Sequence, residues 1–205
     1  MMIGDNLSGA DNQQERPSPS DWLGGIPSDL GHYIAGFVDG EGSFNVPIRR
    51  ERDRCMPWRA SLCFNVSQIG AEQPMLLRTV FGVGTVRGRG DGVFYFEVTR
   101  PQDLFERVFP FFDKFRLRGP KSGDLEIFRE IAGLIQSGRH RTAEGMVTIL
   151  TLRGPMNRGG KRRRCEEEIL AELRGWESSE AIRRAPIRSD GMKIWSTLHG
   201  DMETT

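Results

Sequence analysis

The stretch Tyr33 to Phe44, YIAGFVDGEGSF, constrains this chain more than any other. It opens apolar, with Tyr33, Ile34, Ala35, Phe37 and Val38, and closes on two acids among glycines, Asp39-Gly40-Glu41-Gly42. Pro27 blocks helix further back, and Ser28 or Asp29 can offer a side-chain oxygen to the first free backbone N–H groups. The expected element is a helix from about Asp29 to about Gly40. Ala35, Gly36 and Gly40 leave one side of it almost bare. Glycine costs about 1 kcal/mol in a helix, so bare positions usually mark the close approach of another backbone. Asp39 and Glu41 fall at the carboxyl end, where the helix dipole disfavours acids, and a bound cation would remove that conflict. The spacing alone equally suits an ordinary core helix ending at a glycine with two solvated acids.

The 205 residues suffice for one domain with a real core plus tails. With 28% charged and 37% hydrophobic residues the composition is that of a soluble globular protein. A net charge of +1 does not announce a nucleic-acid binder, so any such surface must come from local clustering of the 29 Lys and Arg. Cys55, Cys63 and Cys165 lack metal-ligand spacing and read as free thiols of a reducing, intracellular compartment: bacterial or archaeal cytoplasm, or an organelle. No membrane span is expected. Residues 1–27 lack the basic start and apolar run of a secretion signal and are expected to be a flexible tail. Trp22 and Leu23 could dock, though nothing local requires it. A domain over 28–175 and a tail over 176–205 complete the division.

Beyond the motif, Ser43 to Arg50 alternates, with Phe44, Val46 and Ile48 on one side, and Pro47 signals a break or an edge. Arg49 to Arg54 reads as an exposed loop. Trp58 to Gln68 alternates more clearly, with Trp58, Ala60, Leu62, Phe64 and Val66 toward the core and Arg59, Ser61, Cys63, Asn65 and Ser67 away. A helix over Gln73 to Phe81 and a Gly82-Val83-Gly84 turn lead into a hairpin, Thr85–Arg89 and Val93–Val98, around Gly90-Asp91-Gly92. Pro101 opens a helix over Gln102 to Phe112 with Leu104, Phe105, Val108 and Phe109 on its apolar side. Helices over Asp124–Gln136, Thr142–Leu152 and Cys165–Leu173 follow. Ile131-Ala132-Gly133-Leu134-Ile135 mimics the first half of the motif but lacks its acids, and reads as core helix.

Ile34-Ala35-Gly36-Phe37-Val38-Asp39-Gly40-Glu41-Gly42 resembles the signature of the LAGLIDADG homing endonucleases, with Ser43-Phe44 continuing it as that family commonly does. The helix, strand, strand, helix, strand, strand, helix order reached from periodicity agrees. Gly82 to Arg87 resembles the family's third-strand entry. Phe128–Ile135 with Met156 to Lys161 resembles its carboxyl helices, so the likeness runs from about Gly31 to about Leu173. It implies an α+β fold: an αββαββα core with a saddle-shaped antiparallel sheet plus C-terminal helices.

The resemblance further implies a single-motif homodimer whose motif helices pack through Ala35, Gly36, Asp39 and Gly40. Each copy would bring Glu41, with Gly40, to a Mg²⁺ ion; Mn²⁺ or Ca²⁺ would substitute in binding. Gln68, at the end of FNVSQ, resembles the family's polar group beside the attacking water. Lys121 resembles its basic group, with Arg118 as the other reading. Double-stranded DNA would lie across Asn45, Arg49, Arg59, Ser61, Asn65, Arg87 and Arg89, with Tyr95 or Glu97 beside them. The runs Arg139-His140-Arg141 and Lys161–Arg164 could hold phosphates. The expected activity is site-specific hydrolysis of both strands of a long pseudo-palindromic, intron-borne target. An RNA maturase acting on its own intron, or an inactive DNA-binding regulator, are the other readings.

Overall fold

The computed structural model describes residues 19–51, 56–159 and 166–184. Its centre is a four-stranded antiparallel sheet of order β1-β4-β6-β5: Gly42–Asn45, Cys63–Ile69, Val93–Val98 and Thr85–Gly88. The register pairs Phe44 with Phe64 and Val66 with Phe96, so every second residue builds one apolar face. Phe44, Phe64 and Phe96 are fully buried there. Phe81 of α3 (Glu72–Phe81) and Phe112 of α5 (Phe109–Lys114) both pack on Phe64, while Phe112 and Phe128 of α6 (Lys121–Gln136) pack on Phe44. Each such ring contributes about 1.5–3 kcal/mol by burial.

The motif helix, α2, runs Ser28–Glu41, one residue further at each end than expected. Neither Ser28 nor Asp29 caps it: Pro27 takes the cap position, and no side chain bonds the free N–H groups. Ile34, Ala35 and Val38 are buried. Gly31 is close against the Phe115 ring, where a Cβ would not fit.

Several expected boundaries move. The strand expected over Ser43–Arg50 divides into β1 and β2 (Ile48–Arg50), and that over Trp58–Gln68 into β3 (Trp58–Ala60) and β4. Ile48 pairs with Ala60 in the same register that pairs Asn45 with Cys63, so β2 and β3 continue one ladder past an interruption at Pro47. Pro47 has no N–H to give, and its carbonyl instead accepts from the Ser61 backbone N–H and hydroxyl at 3.1 and 3.3 Å. The helix expected over Gln102–Phe112 comprises α4 (Pro101–Asp103), a π turn over Leu104–Val108, and α5. Pro110 lies just after that turn; the wider turn accommodates a residue that cannot donate within the helix. Helix α6 begins at Lys121 rather than Asp124.

Part of the expected N-terminal tail is folded. Helix α1 covers Pro19–Gly24, and Trp22 Nε1 donates to Val80 O at 2.6 Å while Arg107 stacks 4.8 Å over its indole. At the other end α7 (Ala143–Arg153) is capped by the Thr142 hydroxyl, and α8 (Glu166–Arg184) runs past the expected boundary at 175. The Arg139–Arg141 run forms a single 3-10 turn. Cys55, Cys165 and the Lys161–Arg164 run lie outside the described residues.

Candidate active site and nucleic-acid interface

Helix α2 passes into β1 without a loop: Glu41 ends one and Gly42 begins the other. The acid is therefore fixed at the margin of the sheet. Glu41 is exposed and makes no ion pair or hydrogen bond with another described residue. Gly42 pairs with Val66, so the register carries the end of α2 to the Ser67–Gln68 end of β4. Gln68 alternates with Phe64 and Val66 and so belongs to the helix-covered side, at the strand end where it is half exposed. Asp39 takes a different direction. Its Oδ2 accepts the backbone N–H groups of Arg118 and Gly119 at 2.7 and 2.9 Å, and its Oδ1 is buried without a partner.

That contact separates the two basic candidates. Arg118 is tied to α2 through its backbone and lines a cavity of about 310 Å³ with His32, Ala35, Gly36, Asp39 and Arg116. Lys121 stands at the start of α6 and does not line it. On the outer side of α2, Gly36 and Gly40 are exposed, and an added Cβ at either would meet nothing within 4 Å. Tyr33, 48% exposed, stacks on Phe37 beside them. Ala35, expected on this bare side, is instead in the core at 3% exposure, and Asp39 is committed to the 118–119 loop.

The donors fit a hard divalent cation in part. Glu41 supplies a free carboxylate and Gly40 a backbone carbonyl, the oxygen chemistry Mg²⁺ takes while retaining waters. No group of three or more His, Cys, Asp or Glu side chains gathers among the described residues.

The sheet face away from the helices opens into a groove of about 1300 Å³. Asn45, Arg49, Arg59, Ser61, Asn65 and Arg87, all expected on this side, line it. Arg89 and Tyr95 stand apart on the β5–β6 hairpin, where Arg89 donates to the Tyr95 hydroxyl at 2.6 Å and pairs with Asp91 at 3.5 Å. Arg59 is held by Glu51 at 3.1 Å. Cys63 lies mid-face. Burial first, then the Glu97 carboxylate, push its thiol up to about 11, and Arg49 opposes them. His140, by contrast, is held below the ordinary imidazole value by burial and by Arg141.

Asn157 also lines the groove, and sequence reasoning missed it. It has φ 52°, the only positive φ of a non-glycine among the described residues. Its Nδ2 donates to the Phe44 carbonyl at 2.9 Å on the edge of the sheet. The available signal was the asparagine itself in Met156-Asn157-Arg158-Gly159, since Asn tolerates that conformation better than most.

A family model described as LAGLIDADG endonuclease matches residues 34–132. The probable intron-encoded endonuclease 2 of Neurospora crassa is 32% identical over 85% of this chain and 44% of its own length. Among solved structures, the homing endonuclease I-TnaI is 28% identical with a TM-score of 0.59, over 73% of this chain and 96% of that one. I-SmaMI, bound to uncleaved DNA target in the presence of calcium ions, is 28% identical with a TM-score of 0.62, over 70% of this chain and 48% of that one. This chain thus spans less than half of the Neurospora protein and of I-SmaMI, and nearly all of I-TnaI.

Proposed function

The chain belongs to the LAGLIDADG endonuclease family, and we propose on that basis that it is a site-specific DNA endonuclease, working as a homodimer on a long pseudo-palindromic target associated with an intron. The observation that carries this reading is the seam between α2 and β1, which sets an exposed, unpaired carboxylate beside a sheet whose free face is a basic groove. The likeness to a neighbour bound to a DNA target supports DNA as the partner.

In this reading Glu41 and the Gly40 carbonyl would hold Mg²⁺. When bound, the ion supplies an activated water and neutralises charge on the scissile phosphate. Gln68, near the end of β4, would orient the attacking water. Arg118, held against α2 by Asp39, presents a positive charge to the phosphate; it takes the basic role in preference to Lys121 because it borders the motif helix. Arg49 and Arg87 engage the duplex from the groove, where they make no ion pair with a described residue. Two chains meeting on the Gly36–Gly40 side would bring two carboxylates together, one for each strand.

Glu41→Gln keeps the shape of the side chain and removes its charge. DNA affinity rests on the groove and stays within about tenfold, about 1.4 kcal/mol. Single-turnover cleavage in Mg²⁺ falls by several orders of magnitude. Binding and cleavage measured on one duplex check both; a variant that cuts at the wild-type rate overturns the assignment.

A further inference from the structure

Asn157 anchors a chain of polar groups that crosses the outer face of the sheet. Its backbone N–H donates to Asp124 Oδ1 at 3.0 Å, which holds the residue in place against α6. Its Nδ2 donates to the Phe44 backbone carbonyl at 2.9 Å, and its Oδ1 accepts from the Ser43 hydroxyl at 3.2 Å. A backbone carbonyl can only accept, so the amino end of this amide has one possible direction. The same Nδ2 also donates to Asn45 Oδ1 at 3.3 Å. Asn45 must then turn its own Nδ2 outward along the face, where it donates to Asn65 Oδ1 at 3.3 Å. The polarity of three amides is thus set by one backbone oxygen.

The free end of the relay is Asn65 Nδ2, within the groove. An asparagine whose two ends are both free pairs with adenine, accepting from N6 while donating to N7. Here Oδ1 already accepts from Asn45, which leaves the amino group as the end with both of its hydrogen-bonding positions open. Two donors match an edge that offers two acceptors, the N7 and O6 of guanine. We propose that Asn157 is a positioning residue for base readout: it fixes the Asn45–Asn65 pair so that Asn65 selects guanine over adenine at the base it meets. This rests on the reading of the outer face as a DNA surface.

The test is selection from a pool of random-sequence duplexes, in calcium, by the wild-type chain and by Asn65→Ala, Asn157→Gly and Asn45→Ala. The pair at which Asn65→Ala loses preference identifies the base that Asn65 reads. At that pair the wild type is expected to favour guanine over adenine by about tenfold or more. Glycine suits φ 52°, so Asn157→Gly keeps its fold, checked by thermal melting. It brings guanine and adenine within about threefold of each other there, leaving the other pairs unchanged. Asn45→Ala does the same at that pair. A wild type that selects adenine there overturns the proposal. So does an unmoved guanine-to-adenine ratio in the folded Asn157→Gly variant, or an equal loss at every pair. A wild-type chain that selects no duplex overturns the DNA reading itself, an outcome distinct from selection with an unmoved ratio.

Discussion

Two positions along a helix are roughly 200° apart around its axis, so Asp39 and Glu41 leave α2 on different sides. Asp39 closes the chain onto itself, accepting two N–H groups from the loop before α6, while the Glu41 side chain makes no hydrogen bond or ion pair with a described residue. Asp39→Asn weakens two hydrogen bonds to a charged acceptor, worth about 1.5–3 kcal/mol each, and is expected to lower stability by up to a few kcal/mol. Urea unfolding checks this, and cleavage per folded molecule is expected to change far less than in Glu41→Gln. Cys63 gives a prediction in pH. Its folded value near 11 exceeds the ordinary 9.0, so folding favours the neutral thiol. The associated stability is complete below pH 9.0 and is lost as pH rises through about 11. The stability difference between wild type and Cys63→Ala should shrink by up to about 3 kcal/mol across that window. In a background with serine at positions 55 and 165, a thiol reagent should label Cys63 slowly at neutral pH and faster after unfolding.

At the scale of elements, what could be read in the sequence was whatever repeats. Alternation over Phe44–Ile48 and Trp58–Val66 assigned the two faces correctly, because burial on one side of a strand enforces a period of two. The break at Ser61-Leu62 carried no local mark. It exists because Pro47 across the ladder lacks a donor, a cause that the pattern of one strand cannot contain. Pro110 did carry a mark, yet the helix continues through it by widening one turn rather than stopping. The docking of α1 depends on Val80 and Arg107, distant in sequence from Trp22, so nothing near Trp22 announced it. The placement of Glu41 at the end of α2 and of the outward strand residues along the groove was legible; the tie from Asp39 to the 118–119 loop and the contacts of Asn157 were not, since both are long-range side-chain contacts. Gly84 illustrates the converse, a turn glycine whose need is tertiary. At φ 86° an added Cβ would also lie 2.8 Å from the Glu97 carbonyl. Gly84→Ala should therefore cost about 1–3 kcal/mol in denaturant unfolding, with the hairpin β5–β6 losing amide protection first.

At the scale of the whole molecule, one side of α2 remains open. Gly36 and Gly40 face outward with Tyr33 and Phe37 beside them, a surface flat enough for a second backbone to approach. Gly36→Leu should leave the folded chain intact, because nothing lies within 4 Å of the new Cβ, yet prevent association and cutting together. Sedimentation equilibrium and a plasmid cleavage assay on the same sample check the pair of effects. A wild-type mass of one chain with full activity would count against the dimer.

The alternation of β4 has a consequence for descent. Phe64 and Val66 are wholly buried, while Cys63 and Asn65, which alternate with them, line the groove. One strand thus carries two interleaved texts, read by different selective pressures. On the proposed DNA reading, a lineage could rewrite the outward letters, and with them the address, without misspelling the inward ones. On that reading such a chain would outlive the loss of any single target, because a new address would not require inventing a new fold.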